Sequence, residues 1–273
     1  MVSRFLSLVV FVSIIISCNK EKPIAPDSPT DRVEIQLKDI SWQHLPSPYY
    51  FFEYSDSGFI TNASYSSFSL SYDVYYTGNR IRETKNLFGA HKDRILYTYD
   101  QNLVSVIKYI NEDGIIYKRC FLVYNGSRQI IKMEWELKIE NSGFAAHRTV
   151  DFSYYADGNL SELIDQRHAI AGIQTASLIR EHFENYDQKK NVDGFSLLHR
   201  PDEHLVLLPN VVLQKNNPGK VIRSGDGIHY EISYSYQYNS SQVPISKKGD
   251  MLFTNGTDAG KHFESNVEYT YYE

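Results

Sequence analysis

The chain has 273 residues, with 28 Lys+Arg against 33 Asp+Glu and a net charge of −5. That balance carries no basic excess, which argues against a nucleic-acid-binding surface. Tyrosine dominates the aromatics, with 22 Tyr against 14 Phe and 2 Trp, and this pattern suits strands rather than helices.

Taken in chain order, the first element is an apolar run. Arg4 is the only charge before Cys18, and Phe5 to Ile16 is interrupted only by Ser7 and Ser13. The run is too short for a spanning helix, which needs about 20 residues, and has the dimensions of a signal-peptide core. Ile15, Ile16, Ser17 and Cys18 resemble the lipobox of bacterial lipoproteins. The resemblance implies that 1–17 is a signal peptide, cut before Cys18, and that Cys18 takes diacylglycerol on its thiol and a palmitate-type chain on its new amine. The mature chain would then hold the membrane through its N-terminal lipid. Cleavage removes Arg4 and leaves 27 basic residues against 33 acidic.

Residues 18–32 read as a tether, with Pro23, Pro26 and Pro29 among charges. Such a segment buries too little to fold and, extended as polyproline II, reaches roughly 40 Å. Lys20 and Glu21 resemble the short charged signal that sends some Bacteroidetes lipoproteins to the cell surface, although Lys22 interrupts it. The expected location is the cell envelope, as an outer-membrane lipoprotein, with surface display left open. With Cys18 lipidated, Cys120 is the remaining thiol. It has no partner for an internal disulfide and lies in a strand-like run, where a small buried hydrophobe is expected.

Residues 33–273 read as one domain of repeated hairpins. Val74-Tyr75-Tyr76 precedes Thr77-Gly78-Asn79; Tyr97-Thr98-Tyr99 precedes Asp100-Gln101-Asn102; Phe121 to Tyr124 precedes Asn125-Gly126. Phe152 to Tyr155 precedes Asp157-Gly158-Asn159; Phe183 to Tyr186 precedes Asp187 to Asn191; Tyr234 to Tyr238 precedes Asn239-Ser240-Ser241. Aliphatic residues follow most of these turns. Asn-Gly and Asp-Gly supply the positive φ of tight hairpins, and the spacing of about 20 to 30 residues marks a repeat. The fold expected is all-β: an antiparallel meander of hairpins forming an extended, twisted or curled sheet, with at most one or two short helices. Val267 to Tyr272 reads as the last strand. Pro201 to Leu208 carries a weak helix-start signal, expected as a short helix over one sheet face.

These Tyr-turn-aliphatic units resemble the YD (Rhs-type) repeat, and the chain resembles a family of Bacteroidetes lipoproteins of unknown function built from such repeats. The likeness covers about residues 50–273, with its best signature in Tyr186-Asp187, Lys215 to Pro218 and Tyr234 to Asn239. It departs from the pattern where Gly is missing after Asp100, Asp187 and Asn239. The chain is shorter than the toxin cocoons of that family and is expected to enclose no cargo. The resemblance implies no catalytic residues and no cofactor.

Catalytic motifs are absent from the sequence: no nucleophile elbow, P-loop or zincin pattern is present. His199 and His204 bracket Asp202 and Glu203, but a five-residue spacing does not put both imidazoles on one helix face. Glu134 and Glu136 fall on one face of a strand, roughly 7 Å apart, inside the inverting-glycosidase separation of about 6.5–9.5 Å. Same-strand neighbours usually just meet water instead of flanking a substrate. Tyr97, Tyr99, Tyr154, Tyr234 and Tyr236 form the candidate ligand face, able to stack sugar rings or grip a protein; alternatively they hold the sheet together as cross-strand pairs. The leading expectation is a non-enzymatic envelope module that binds glycan or protein. An envelope hydrolase or lyase, a lipid-binding half-barrel and a structural envelope component stay open as alternatives.

Overall fold

A computed structural model describes residues 35–86, 92–140, 142–200 and 203–273. The expected signal peptide, Cys18 and the expected tether lie outside the described residues. The strands run, in order, β1 (Leu37–Trp42), β2 (Tyr50–Tyr54), β3 (Ile60–Tyr65), β4 (Leu70–Thr77), β5 (Arg80–Asn86), β6 (Arg94–Asp100), β7 (Leu103–Ile110) and β8 (Ile116–Tyr124). They continue with β9 (Ile130–Ile139), β10 (Gly143–Tyr154), β11 (Leu160–Arg167), β12 (Ser177–Glu184), β13 (Lys220–Gly225), β14 (Tyr230–Tyr238), β15 (Pro244–Phe253) and β16 (His262–Tyr271). Each pairs antiparallel with its chain neighbours, and β16 returns to β1, so the sixteen described strands form a closed barrel. At the seam Ile40 faces Tyr269 and Trp42 faces Val267.

Closure corrects the expectation of an extended or curled open sheet. Two physical causes act together. The aromatic and aliphatic side chains alternate onto one face, as with Ile95 and Tyr97 on β6 or Val150 and Phe152 on β10. An open sheet would leave that face in water, whereas closure buries it. The second cause is a β-bulge placed just at the repeat tyrosine, before Tyr54, Tyr76, Tyr99, Tyr124, Tyr154 and Tyr238. A bulge adds twist and bends its strand, so each repeat contributes curvature. Closure also removes the sheet edges that invite aggregation.

One tyrosine per hairpin ties the wall at the end carrying the tight turns. The Tyr54 hydroxyl donates to the Leu37 carbonyl, Tyr76 to Ile60, Tyr99 to Ile81 and Tyr124 to Val104. Tyr154 donates to Ile130, Tyr186 to Leu160, Tyr236 to Pro218 and Tyr271 to Pro244. Each bond runs from the end of one strand, or for Tyr186 just past it, to the start of the strand before it, or for Pro218 just ahead of it. Burial pushes the Tyr76 and Tyr99 hydroxyls up to about 12, so these rungs remain protonated at physiological pH.

The turns themselves repeat. Tyr155 N donates to Asn159 O and Asn239 N to Val243 O, enclosing loops whose fourth residue is left-handed: Gly158 at φ 89° and Gln242 at 62°. At Asn125-Gly126 the left-handed residue is Arg128, not Gly126. The missing glycine after Asn239 therefore costs no turn, because the Asn239 side chain accepts from the Ser241 and Val243 amides instead.

No α-helix occurs among the described residues; two short 3-10 turns, Gly194–Leu197 and Gly256–Asp258, are present. The helix expected over Pro201–Leu208 does not form in its described part. Leu205 and Leu207 are both buried with half-buried neighbours between and after them, which is the two-residue period of extended chain. Nor does Asp187 to Asn191 make a hairpin turn. There the chain leaves β12 and does not come back to the wall until β13.

Candidate functional site: a strap through the barrel lumen

Residues 187–200 and 203–217, between β12 and β13, form a strap inside the barrel. Its Leu198, Leu205, Leu207 and Leu213 join the same core as the inward faces of the wall. The chain thus encloses a part of itself. Apolar contact accounts for one side of the packing; the rest is polar and specific.

The deepest anchor is ionic. Arg148 on β10 and Asp165 on β11 are each only 2% exposed, and they meet through two parallel bonds of 2.8 and 2.9 Å. Arg148 also donates to Glu203 of the strap at 3.0 Å, and Arg200 of the strap donates to Asp165. Lys118 of β8 stands 3.7 Å from Glu203. Burial works against charge on Asp165, yet Arg148 and Arg200 outweigh it and hold the carboxyl below its ordinary range. A second anchor uses Asp193 of the strap, which accepts from Lys247 at 3.0 Å and from Tyr269 at 2.7 Å. Burial would raise this carboxyl too, but Lys247 and Tyr269 keep it low.

The two strap histidines meet wall tyrosines. Tyr72 Oη lies 2.6 Å from His204 Nδ1, and His204 Nε2 lies 3.0 Å from Asp93, which also accepts from Tyr117. With Tyr72 donating, Nδ1 is the acceptor and Nε2 carries the proton towards Asp93. Tyr50 Oη bonds His199 Nδ1. Burial lowers the His204 pKa, against the opposing pull of Asp93. His199 and His204 therefore face different tyrosines across the lumen and are engaged as hydrogen-bonding groups of the strap.

The candidate ligand-face tyrosines point into this interior. Tyr97 is 7% exposed and accepts the Leu207 amide of the strap. Tyr99, Tyr154 and Tyr236 are half-buried rungs of the carbonyl ladder. Tyr234 packs against the core, with Lys247 Nζ 5.3 Å from its ring centre. None of the five presents an exposed ring. Glu134 and Glu136 lie on the outer face, where Lys132 and Arg119 pair with them. Cys120 is fully buried, and burial pushes its thiol well up, so the thiolate needed for chemistry is suppressed.

Sequence reasoning missed Arg148, Asp165 and Lys118. A signal was present: Arg148 is in phase with Val150 and Phe152, and Lys118 with Cys120 and Leu122. A charge on the apolar phase of a strand must be paired inside.

One cavity lies between strap and wall. The cavity among Tyr109, Met133, Trp135, His199, Glu203 and His204 is about 10 Å³, room for one water at most. Outward positions carry charges in pairs, among them Lys132–Glu134, Arg180–Glu162 and Lys248–Glu264. A membrane-spanning barrel instead needs an apolar outer band about 25 Å tall.

Fold and site together define a closed antiparallel barrel with a strap in its lumen and paired charges on its outer face. In fold it is similar to a porin-like protein from Bacteroides uniformis ATCC 8492 (TM-score 0.55, 11% identity, 87% of this chain and 95% of that one covered). A porin-like protein from Bacteroides vulgatus ATCC 8482 is also similar (TM-score 0.51, 14% identity, 81% and 92% covered). At these identities the likeness is one of fold alone. No protein-family model and no curated protein matches the sequence.

Proposed function

We propose that the protein is a non-enzymatic cell-envelope lipoprotein that binds a glycan or protein through its outer surface. The observation that carries this reading is the strap in the lumen. A barrel whose interior is packed with its own chain, through Leu198, Leu205, Leu207 and Leu213, offers substrate, acyl chain or permeating solute less space than an empty barrel of the same wall would. Support for the enzyme and half-barrel alternatives falls with that space. The paired charges outside favour a body that lives in water and is held to the membrane by the lipid on Cys18.

Three measurements test it. The full chain is expected to give no conductance in planar bilayers, and to be retained on isolated cell envelopes. Labelled palmitate is expected in the wild type and lost in Cys18→Ala. Channel events, or an unretained protein, would overturn the reading.

A further inference from the structure

We propose that the outer face of β1, β2 and β3 is a binding track for a neutral oligosaccharide, with Phe51 and Phe68 as its stacking platform. This deepens the binding reading above and rests on it. Phe52, Ala63 and Tyr65 belong to the core, so the alternate residues Phe51, Glu53, Asn62 and Ser64 face outward.

Three observations converge there. Phe68 is 48% exposed, with its ring 5.1 Å from that of Phe51. It is presented by an unusual backbone: Ser66, Ser67 and Phe68 are consecutive left-handed residues, at φ 52°, 53° and 66°. None is glycine, and L residues avoid this conformation; the Tyr49 and Pro48 carbonyls hold it by accepting the Ser66 and Ser67 amides at 2.7 and 3.0 Å. Backbone held so far from its preference clusters at binding sites. The third observation is Ser64, the direct cross-strand partner of Phe51. It is 1% exposed and its hydroxyl has no hydrogen-bond partner among the described residues, a cost that the fold carries directly beside Phe51.

Two residues along the same strand the track reaches Glu53, which borders an open cavity of about 300 Å³ with Gln36, Tyr54, Thr61 and Tyr272. That volume falls at the small end of ligand sites. An aromatic platform of two rings is far below the roughly 800 Å² per partner of a protein interface, but it matches the apolar face of a sugar ring. Asp39 and Glu53 share the outer face of β1 and β2 by register, against Lys38, whose Nζ is 5.6 Å from the centre of the Tyr272 ring; Asp73 on β4 is balanced by its cross-strand partner Lys85. The track therefore selects against anionic sugars.

The test uses the full chain with cellotetraose and chitotetraose as neutral probes and tetragalacturonate as the anionic one. Binding of at least one neutral probe is expected, weakened at least tenfold in Phe68→Ala and in Tyr272→Ala and retained in Phe68→Trp, with no binding of tetragalacturonate. Neutral binding unchanged in both alanine variants would overturn the track while leaving a binding module elsewhere. No saccharide binding at all would also overturn it, and retention on envelopes then shows whether the broader reading survives. Preference for tetragalacturonate would refute the charge argument and the proposal with it.

Discussion

Wall and strap are built on opposite plans. The wall repeats one device eight times, a tyrosine hydroxyl on the carbonyl that begins the preceding strand, so its cohesion is spread over many equal contributions. The strap repeats nothing; it hangs on a few dissimilar anchors, Asp193 to Lys247 and Tyr269, Glu203 to Arg148, and His204 to Tyr72 and Asp93. A repeat tolerates the loss of one member, whereas a buried ion pair without its partner is left as an isolated charge. Damage to the anchors that hold the strap, on either side of the contact, should therefore cost more per residue than damage to the wall's tyrosine rungs.

The largest effect is expected at Arg148. Arg148→Met leaves Asp165 and Glu203 without their main partner and should lower the urea unfolding free energy by about 3–5 kcal/mol. A loss below about 1 kcal/mol would erase the distinction between the two regions. Removing the charges together, in Arg148→Met with Asp165→Leu, should cost less than the sum of the single changes.

Acid comes next. Burial, reinforced by Lys118, lowers His147 beside this anchor to about 4, and burial lowers His204 as well. Both groups bind protons more readily unfolded than folded, so their contribution is complete above about pH 6.5. It declines as pH falls from there towards 4. The melting temperature should be flat on these groups' account above neutrality and fall below it, with His204→Gln reducing the slope. Hydrogen exchange at residues 203–208 should rise before that of the wall strands. Uniform loosening of wall and strap would contradict their separation.

The wall predicts smaller and matched effects. Tyr99→Phe, Tyr124→Phe and Tyr154→Phe should each cost about 1 kcal/mol, with near-equal values because the rungs are equivalent. One rung costing several times the others would show that closure depends on position and not on repetition. Smallest is the exterior, where Lys132→Ala, breaking the pair with Glu134, should change stability by less than about 1 kcal/mol.

The wall was the legible region. Tyr97 and Tyr99, or Tyr234 to Tyr238, announce strands by alternation, and Asn125, Asp157 and Asn239 mark their turns. What alternation cannot say is which side of the sheet becomes the inside. A candidate face of Tyr97, Tyr99, Tyr154, Tyr234 and Tyr236 reads equally as surface or lumen until the strands close, and closure depends on bulges whose place at the repeat tyrosines only the register reveals. The strap was illegible for another reason. Its anchors are contacts at large sequence separation, Tyr65 to Glu203 or Tyr269 to Asp193, chosen by the barrel's circumference. Arg148 and Asp165 could have been flagged as buried charges, but not matched to a segment that has no period of its own. On the outside, Phe68 looked like one more loop aromatic, since nothing in Ser66-Ser67-Phe68 advertises three left-handed residues.

The seam between the first and last strands has a mechanical consequence. β1 is flanked by β16 along most of its length and by β2 near its middle, and the Tyr54 hydroxyl fastens the Leu37 carbonyl at its start. A pull on the chain ahead of Leu37 therefore loads two ladders in shear at once instead of peeling a free edge bond by bond. The strand that bears the tension is also the one that completes the ring, so rupture and loss of closure would be a single event.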